Sequence, residues 1–77
     1  MVEEKLKVIL SNQLGFETSK IITENHIVND LGADSLDIVE IIMDVENEFK
    51  IKIEDNEYQD ANTVQLIINL IESKTKD

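Results

Sequence analysis

The stretch LGADSLDIVEIIMDVENEF, residues 31–49, decides how the chain is read. Advancing about 100° per residue from Ser35, the residues Ile38, Ile41, Ile42, Val45 and Phe49 fall on one broad stripe, the pattern of a helix with one face in a core. Asp34 has the side chain of an N-cap. Asp37, three residues later, resembles the second half of a capping box and places negative charge where the helix dipole favours it. The spacing predicts a helix over residues 35–49.

This helix has more apolar surface than one core face needs. Leu36, Val39 and Met43 form a second stripe at i, i+3, i+7, with Glu46 between the two stripes and the acids Asp37, Glu40 and Asp44 running beside it. An extended stripe usually means a wider buried face. A domain with only three or four short helices has few elements left to cover it, however, and an apolar strip edged by acids has the make-up of a docking surface.

The rest of the chain supports a small bundle. Val2, Leu6, Ile9, Leu10 and Leu14 lie on one side of a helical period, and Gly15 follows where a left-handed terminating residue is needed. Residues 15–33 then form a connection of roughly 19 residues, longer than the 12–15 or so usually left without internal structure. It should be pinned by its own apolar residues, with Ile21, Ile22, Ile27, Val28 and Leu31 as candidates. FKIKI, residues 49–53, alternates like a strand but has no second strand to pair with, so it reads as an extended exit from the second helix.

A short helical turn is expected within residues 55–60. Asn62 and Gln65 make a plausible capping pair for a last helix, whose stripe is Val64, Ile67, Ile68 and Ile71 and whose C-terminal end carries Lys74 and Lys76. The expected architecture is all-α: three main helices plus one short helix, a long loop between the first and second helices, and a single domain over residues 1–77.

Composition narrows the function. The 77 residues hold no cysteine, one histidine, 17 acids and 7 lysines, for a net charge of −10. Disulfides and thiolate metal sites are excluded, and no metal site is expected. Eight acids (Glu24, Asp30, Asp34, Asp37, Glu40, Asp44, Glu46, Glu48) and no lysine or arginine occupy residues 21–49. Such a charge repels nucleic acid and anionic membranes and favours basic protein partners. MVEEKLKVIL opens with acids and amphipathic spacing, unlike a signal peptide, and no apolar run approaches a membrane span. A soluble protein without membrane insertion is expected.

Ser35 stands between two aspartates at the head of the second helix. GADSL lacks the glycine spacing of a nucleophile elbow, and a domain this small has no room for an oxyanion hole and substrate cleft, so a Ser-His-Asp arrangement with His26 is set aside. His26 is read as a solvated loop residue. Asp30, Asp34 and Asp37 do not match an EF-hand loop, which leaves only loose cation binding open. Ser35 as an ordinary helix-start residue is the bland alternative. A hydroxyl in the first turn, after a glycine-containing loop, is also sterically open and surrounded by unpaired backbone N–H groups, where a phosphate ester would be favoured. These residues make Ser35 a good modification site without naming the modification.

LGADSLD followed by IVEIIMDVENEF resembles the prosthetic-group attachment motif and recognition helix of the acyl carrier proteins. The likeness extends to QLG (residues 13–15) closing the first helix, the long loop, and TVQ (residues 63–65) opening the last helix. The resemblance implies that Ser35 carries 4′-phosphopantetheine through a phosphodiester, transferred from coenzyme A by a holo-acyl-carrier-protein synthase, with Asp34, Leu36 and Asp37 as motif flanks. It implies a non-catalytic carrier of growing fatty acyl chains as thioesters, a substrate of partner enzymes.

Leu36, Asp37, Val39, Glu40, Met43 and Asp44 are then the surface for fatty acid synthesis enzymes and acyltransferases with basic docking patches. Ile42, Val45, Ile53, Ala61 and Ile67 are the expected lining of an acyl pocket between the second and last helices. Dissociated, type II fatty acid synthesis fits best because the chain is free-standing; carriers for polyketides, aminoacyl groups or lipid A precursors share the motif, and an unmodified acidic interaction module, docking through the second helix with no need of Ser35, is the alternative from a different class. A cytoplasmic, bacterial monomer is expected, with a mature organelle protein as the alternative. Two departures stand out: Glu54 where members often have proline, and Leu66 and Ile67 where many have small residues, which narrows the space inside the bundle.

Overall fold

The computed structural model describes residues 2–75, in the order α1 (Val2–Leu14), a single 3-10 turn (Thr18–Lys20), α2 (Ser35–Phe49), α3 (Asp55–Tyr58) and α4 (Val64–Thr75). α1 buries Leu6 and Leu10 completely, with Val2, Ile9 and Leu14 packed at the margin of the core. It stops at Gly15, whose N–H donates to Ser11 O at 2.9 Å, the single bond of a left-handed C-cap, and whose φ of +82° then turns the chain out of the helix. α1 packs against α2 and α4, and α3 packs against α4.

The long connection is held from both sides. Ile21, Ile27, Leu31 and Ala33 are buried, whereas Ile22 and Val28 are 49% and 42% exposed, so two of the five expected anchors do not anchor. Local turns explain this. Ile22 opens a turn in which its N–H donates to Asn25 Oδ1 and its carbonyl accepts from Asn25 N–H, and this turns its side chain outward. Val28 follows Ile27 in the next turn, where the inward positions are spaced four apart, at 27 and 31.

His26 organises that second turn rather than merely being solvated. Its Nδ1 accepts from the N–H groups of Val28 and Asn29, while its own N–H donates to Asp30 Oδ2. It does the work of a capping serine or aspartate, with a ring nitrogen as acceptor.

The same loop completes the start of α4. Asn25 O and Thr23 O accept from the N–H groups of Val64 and Gln65, the first two amides of the helix, which have no partner inside it. Ile27 N–H donates to Asn62 O, and His26 and Thr63 form an isolated antiparallel bridge. With the backbone pinned at Thr63 by this bridge, the cap falls one residue later than the sequence suggests. Thr63, not Asn62, caps α4: its Oγ1 accepts from Leu66 N–H, and its carbonyl accepts the first helical bond, from Ile67. Gln65 turns instead to Asn69 Oδ1 at 2.9 Å. The expected stripe of Val64, Ile67, Ile68 and Ile71 is buried.

At the other end of α2 the chain turns at Lys50, a non-glycine residue at φ 58°, ψ 47°. The exit expected over residues 49–53 therefore starts later, since Phe49 still belongs to α2 and Lys50 is left-handed; residues 51–54 form neither helix nor strand, and Glu54 is extended. Glu54 N–H donates to Glu57 Oε1, so the short helix starts without the expected proline. Lys74 Nζ meets Glu57 Oε1 at 2.7 Å and joins α3 to α4, while Lys76 lies outside the described residues.

Candidate functional site at the start of the second helix

α2 begins with a complete capping box: Asp34 Oδ1 accepts from Asp37 N–H at 2.9 Å, and Asp37 Oδ2 accepts from Asp34 N–H at 3.2 Å. Of the amides at the head of the helix, the box uses those of Asp34 and Asp37. The N–H groups of Ser35 and Leu36 are left pointing out of the first turn. Ser35 is exposed, and its hydroxyl is not needed for capping because the two aspartates supply both acceptors.

Gly32, at φ +75°, ends the turn that His26 caps, and a Cβ built on it would meet no atom within 4 Å. Ala33, next to it, is buried, and its N–H donates to Ile27 O at 2.9 Å within the loop. A phosphate on the exposed Ser35 hydroxyl would lie at the positive end of a helix, beside the two first-turn amides that the capping box does not use. The chemistry of the site fits a phosphodiester-linked group.

The acids named from the sequence lie along one edge of α2. Asp34, Glu40 and Asp44 are exposed and Asp37 is half-buried. The ion pairs among the described residues, Lys5–Glu48, Lys7–Glu3 and Lys74–Glu57, involve none of these four. The carboxyl of Asp37 is held below its ordinary value, first by the Asp34 N–H and then by the side-chain amide of Gln13, against the opposing cost of desolvation. Gln13 reaches across from α1, its Nε2 standing 3.2 Å from Asp37 Oδ1 and 2.6 Å from Glu40 Oε1.

Sequence reasoning did not single out Gln13 as a site residue. The signal was present: Gln13 falls seven residues after Leu6 and four after Ile9, on the apolar stripe of α1. A polar side chain at such a position calls for a partner on the facing helix.

The apolar strip beside the acids is exposed, at 64% for Leu36, 43% for Val39 and 55% for Met43. Val39 and Met43 border a cleft of about 260 Å³ whose other walls are Ile42, Ile53 and Tyr58 together with the charged Glu46, Lys52, Glu54 and Asp55. Glu46, which lies between the two stripes, has its role here: Oε2 accepts from Ile53 N–H at 2.7 Å and ties the extended exit back onto the helix. Of the residues expected to line an acyl pocket, Ile42 and Ile53 border this cleft, Ala61 borders another between α3 and α4 with Leu66 and Leu70, and Val45 and Ile67 are fully enclosed. All five belong to one contiguous core.

Comparison with known proteins agrees with this arrangement. Residues 4–71 match the family model described as a phosphopantetheine attachment site. The chain is 44% identical to an acyl carrier protein of Clostridium acetobutylicum over 77 residues, covering all of both chains. It is 49% identical over 70 residues to one from Buchnera aphidicola subsp. Baizongia pistaciae, covering 91% of this chain and 90% of the relative. It is 43% identical over 70 residues to one from Thermotoga maritima, covering 91% and 86%. With an all-helical fold of three main helices and one short helix, a long loop between the first two and an open serine at the head of the second, the chain belongs to the acyl carrier protein family, whose members carry covalent 4′-phosphopantetheine.

Proposed function

We propose that Ser35 is the attachment residue and that the chain carries growing acyl chains in dissociated, type II fatty acid synthesis. The observation that carries the assignment is the exposed Ser35 hydroxyl, released from capping by the Asp34–Asp37 box and placed in the first turn of α2 beside two unpaired amides. The bound group supplies the thiol that the cysteine-free chain lacks, so that acyl groups are held as thioesters.

Loading is catalysed from outside. A holo-acyl-carrier-protein synthase brings coenzyme A, Ser35 Oγ forms the new bond to phosphorus as its proton is removed, and the nucleotide portion of coenzyme A leaves. The chain needs no base beside Ser35 because it acts as substrate and carrier rather than as enzyme. Partners with lysine and arginine patches approach along Asp37, Glu40 and Asp44, while Leu36, Val39 and Met43 seat the complex. Charge complementarity of this kind acts mainly on association rate and orientation, and methionine suits a surface that must fit several enzymes.

Ile42, Val45, Ile53, Ala61 and Ile67 are the proposed lining for the acyl chain, reached as α2 parts from α4. The cleft beside Ile42 and Ile53 already brings the docking strip next to that part of the core. We place the protein as a cytoplasmic monomer, free of nucleic acid and membrane, in keeping with its net charge of −10.

Intact mass tests the assignment. Incubation with coenzyme A and a bacterial holo-synthase should add one phosphopantetheine group to the native chain and none to Ser35→Ala. The variant should keep its helical circular dichroism, since Asp34 still caps α2. Modification of the alanine variant would remove Ser35 from the proposal.

A further inference from the structure

We propose that Gln13 is a positioning residue for partner recognition: its side-chain amide ties the end of α1 to the acidic row of α2 and fixes how Glu40 presents its remaining carboxylate oxygen to a basic partner. The inference rests on the docking role proposed above for that row. A primary amide has two N–H bonds, and here both go to carboxylates, Asp37 Oδ1 at 3.2 Å and Glu40 Oε1 at 2.6 Å. Asp37 and Glu40 stand at i, i+3 on one helix, where like charges repel. A donor between them allows both to remain ionised and close together.

The tie divides the row by function. Asp37 has Oδ1 on Gln13 and Oδ2 on the Asp34 N–H, so both oxygens hold the helix start and its charge is presented through a fixed carboxylate. Glu40 has only Oε1 engaged, and Oε2 takes part in no hydrogen bond or ion pair among the described residues. A free glutamate side chain loses rotamer freedom when a partner binds it. With Gln13 in place, that ordering has occurred before the partner arrives. Asp44, one turn further along, has no such tie among the described residues and serves as the internal control.

A double-mutant cycle in the loading reaction tests this, with coenzyme A and a bacterial holo-synthase. Gln13→Ala should lower kcat/KM by about two- to tenfold, the size expected for one rotamer-rich side chain that must be ordered on binding. The loss should appear in KM with kcat kept. It should vanish in a Glu40→Ala background and persist in full in an Asp44→Ala background. Gln13→Met, which keeps side-chain length without a donor, should match Gln13→Ala and so separate hydrogen bonding from packing.

Two readouts need no partner. In both variants the Asp37 carboxyl, followed by NMR, should titrate higher than in the native chain, and in the native chain the Gln13 side-chain amide should exchange more slowly than a solvated one. A native Gln13 amide exchanging at the solvated rate overturns the inference even if the variants fold poorly. Native loading by Gln13→Ala, or an undiminished loss on top of Glu40→Ala, overturns it as well. If Glu40→Ala itself loads at the native rate, the docking reading fails first. If Glu40→Ala is slow and Gln13→Ala is not, only the positioning role falls.

Discussion

Lys50→Gly should stabilise the protein, and the structure sets the size of the effect. Lys50 ends α2 in the left-handed region, with its N–H on Glu46 O and the following N–H, that of Ile51, on the same carbonyl at 3.2 Å. An L-residue in this region carries a cost of about 1–2 kcal/mol that glycine does not. Glycine in turn gains freedom in the unfolded chain, which offsets about 0.4–1 kcal/mol. The Lys50 side chain is exposed and takes part in none of the ion pairs among the described residues, so its removal forfeits little. The two ranges leave a net gain of about 0–1.6 kcal/mol, and its centre of about 0.8 kcal/mol corresponds to roughly 3–6 °C in Tm for a domain of this length. Thermal melting by circular dichroism measures it, with loading at Ser35 as the control, because the substitution lies at the opposite end of α2. A lower Tm would refute the reasoning, since it would mean that the lysine side chain contributes more than its backbone strain costs.

Three further outcomes are expected. The Asp37 carboxyl is held below its ordinary 3.8 by the Asp34 N–H and Gln13, so its stabilising contribution is present above that value and is lost as pH falls through the depressed one. Tm should accordingly drop less for Asp37→Asn than for the native chain between about pH 5 and about pH 3. Carriers loaded with acyl chains of increasing length should melt at rising temperatures, because each enclosed methylene is worth about 0.8 kcal/mol; a flat series would leave the chain in solvent. Glu40→Lys and Asp44→Lys should slow the holo-synthase strongly at low salt and much less at high salt, as the Debye length shortens. Met43→Ala should lose activity at both, and unchanged transfer by the charge reversals at low salt would reduce the acidic row to a solvated face.

What the sequence made legible was local. The α2 capping box, the stop at Gly15 and the buried stripe of α4 all depend on residues within one or two turns of each other, and periodicity reports on that range. What it hid was carried by contacts between distant segments and by side-chain-capped turns that leave no periodic signal. Thr63 rather than Asn62 caps α4 because the 23–27 loop pairs with residues 62–65. Ile22 and Val28 turn outward because Asn25 and His26 bend the backbone around them. Gln13 meets Asp37 and Glu40 across 24 and 27 residues of chain. In each case a polar group that composition would place in solvent is instead the group that sets the local geometry.

The two apolar stripes of α2 explain why one short helix can serve both the fold and the proposed docking. Ile41, Ile42 and Val45 are at most 6% exposed, whereas Leu36, Val39 and Met43 are all above 40%, so the helix is divided along its length and not end to end. Glu46 sits on the dividing line and is kept there by the Ile53 N–H. This bond fixes the exit segment against α2 and shapes the cleft that joins the outer strip to Ile42. A partner that covers Val39 and Met43 therefore also covers the mouth of that cleft. In the proposed carrier role, docking and release of an acyl chain from the core would then act on the same few residues, with no signal needing to cross the bundle.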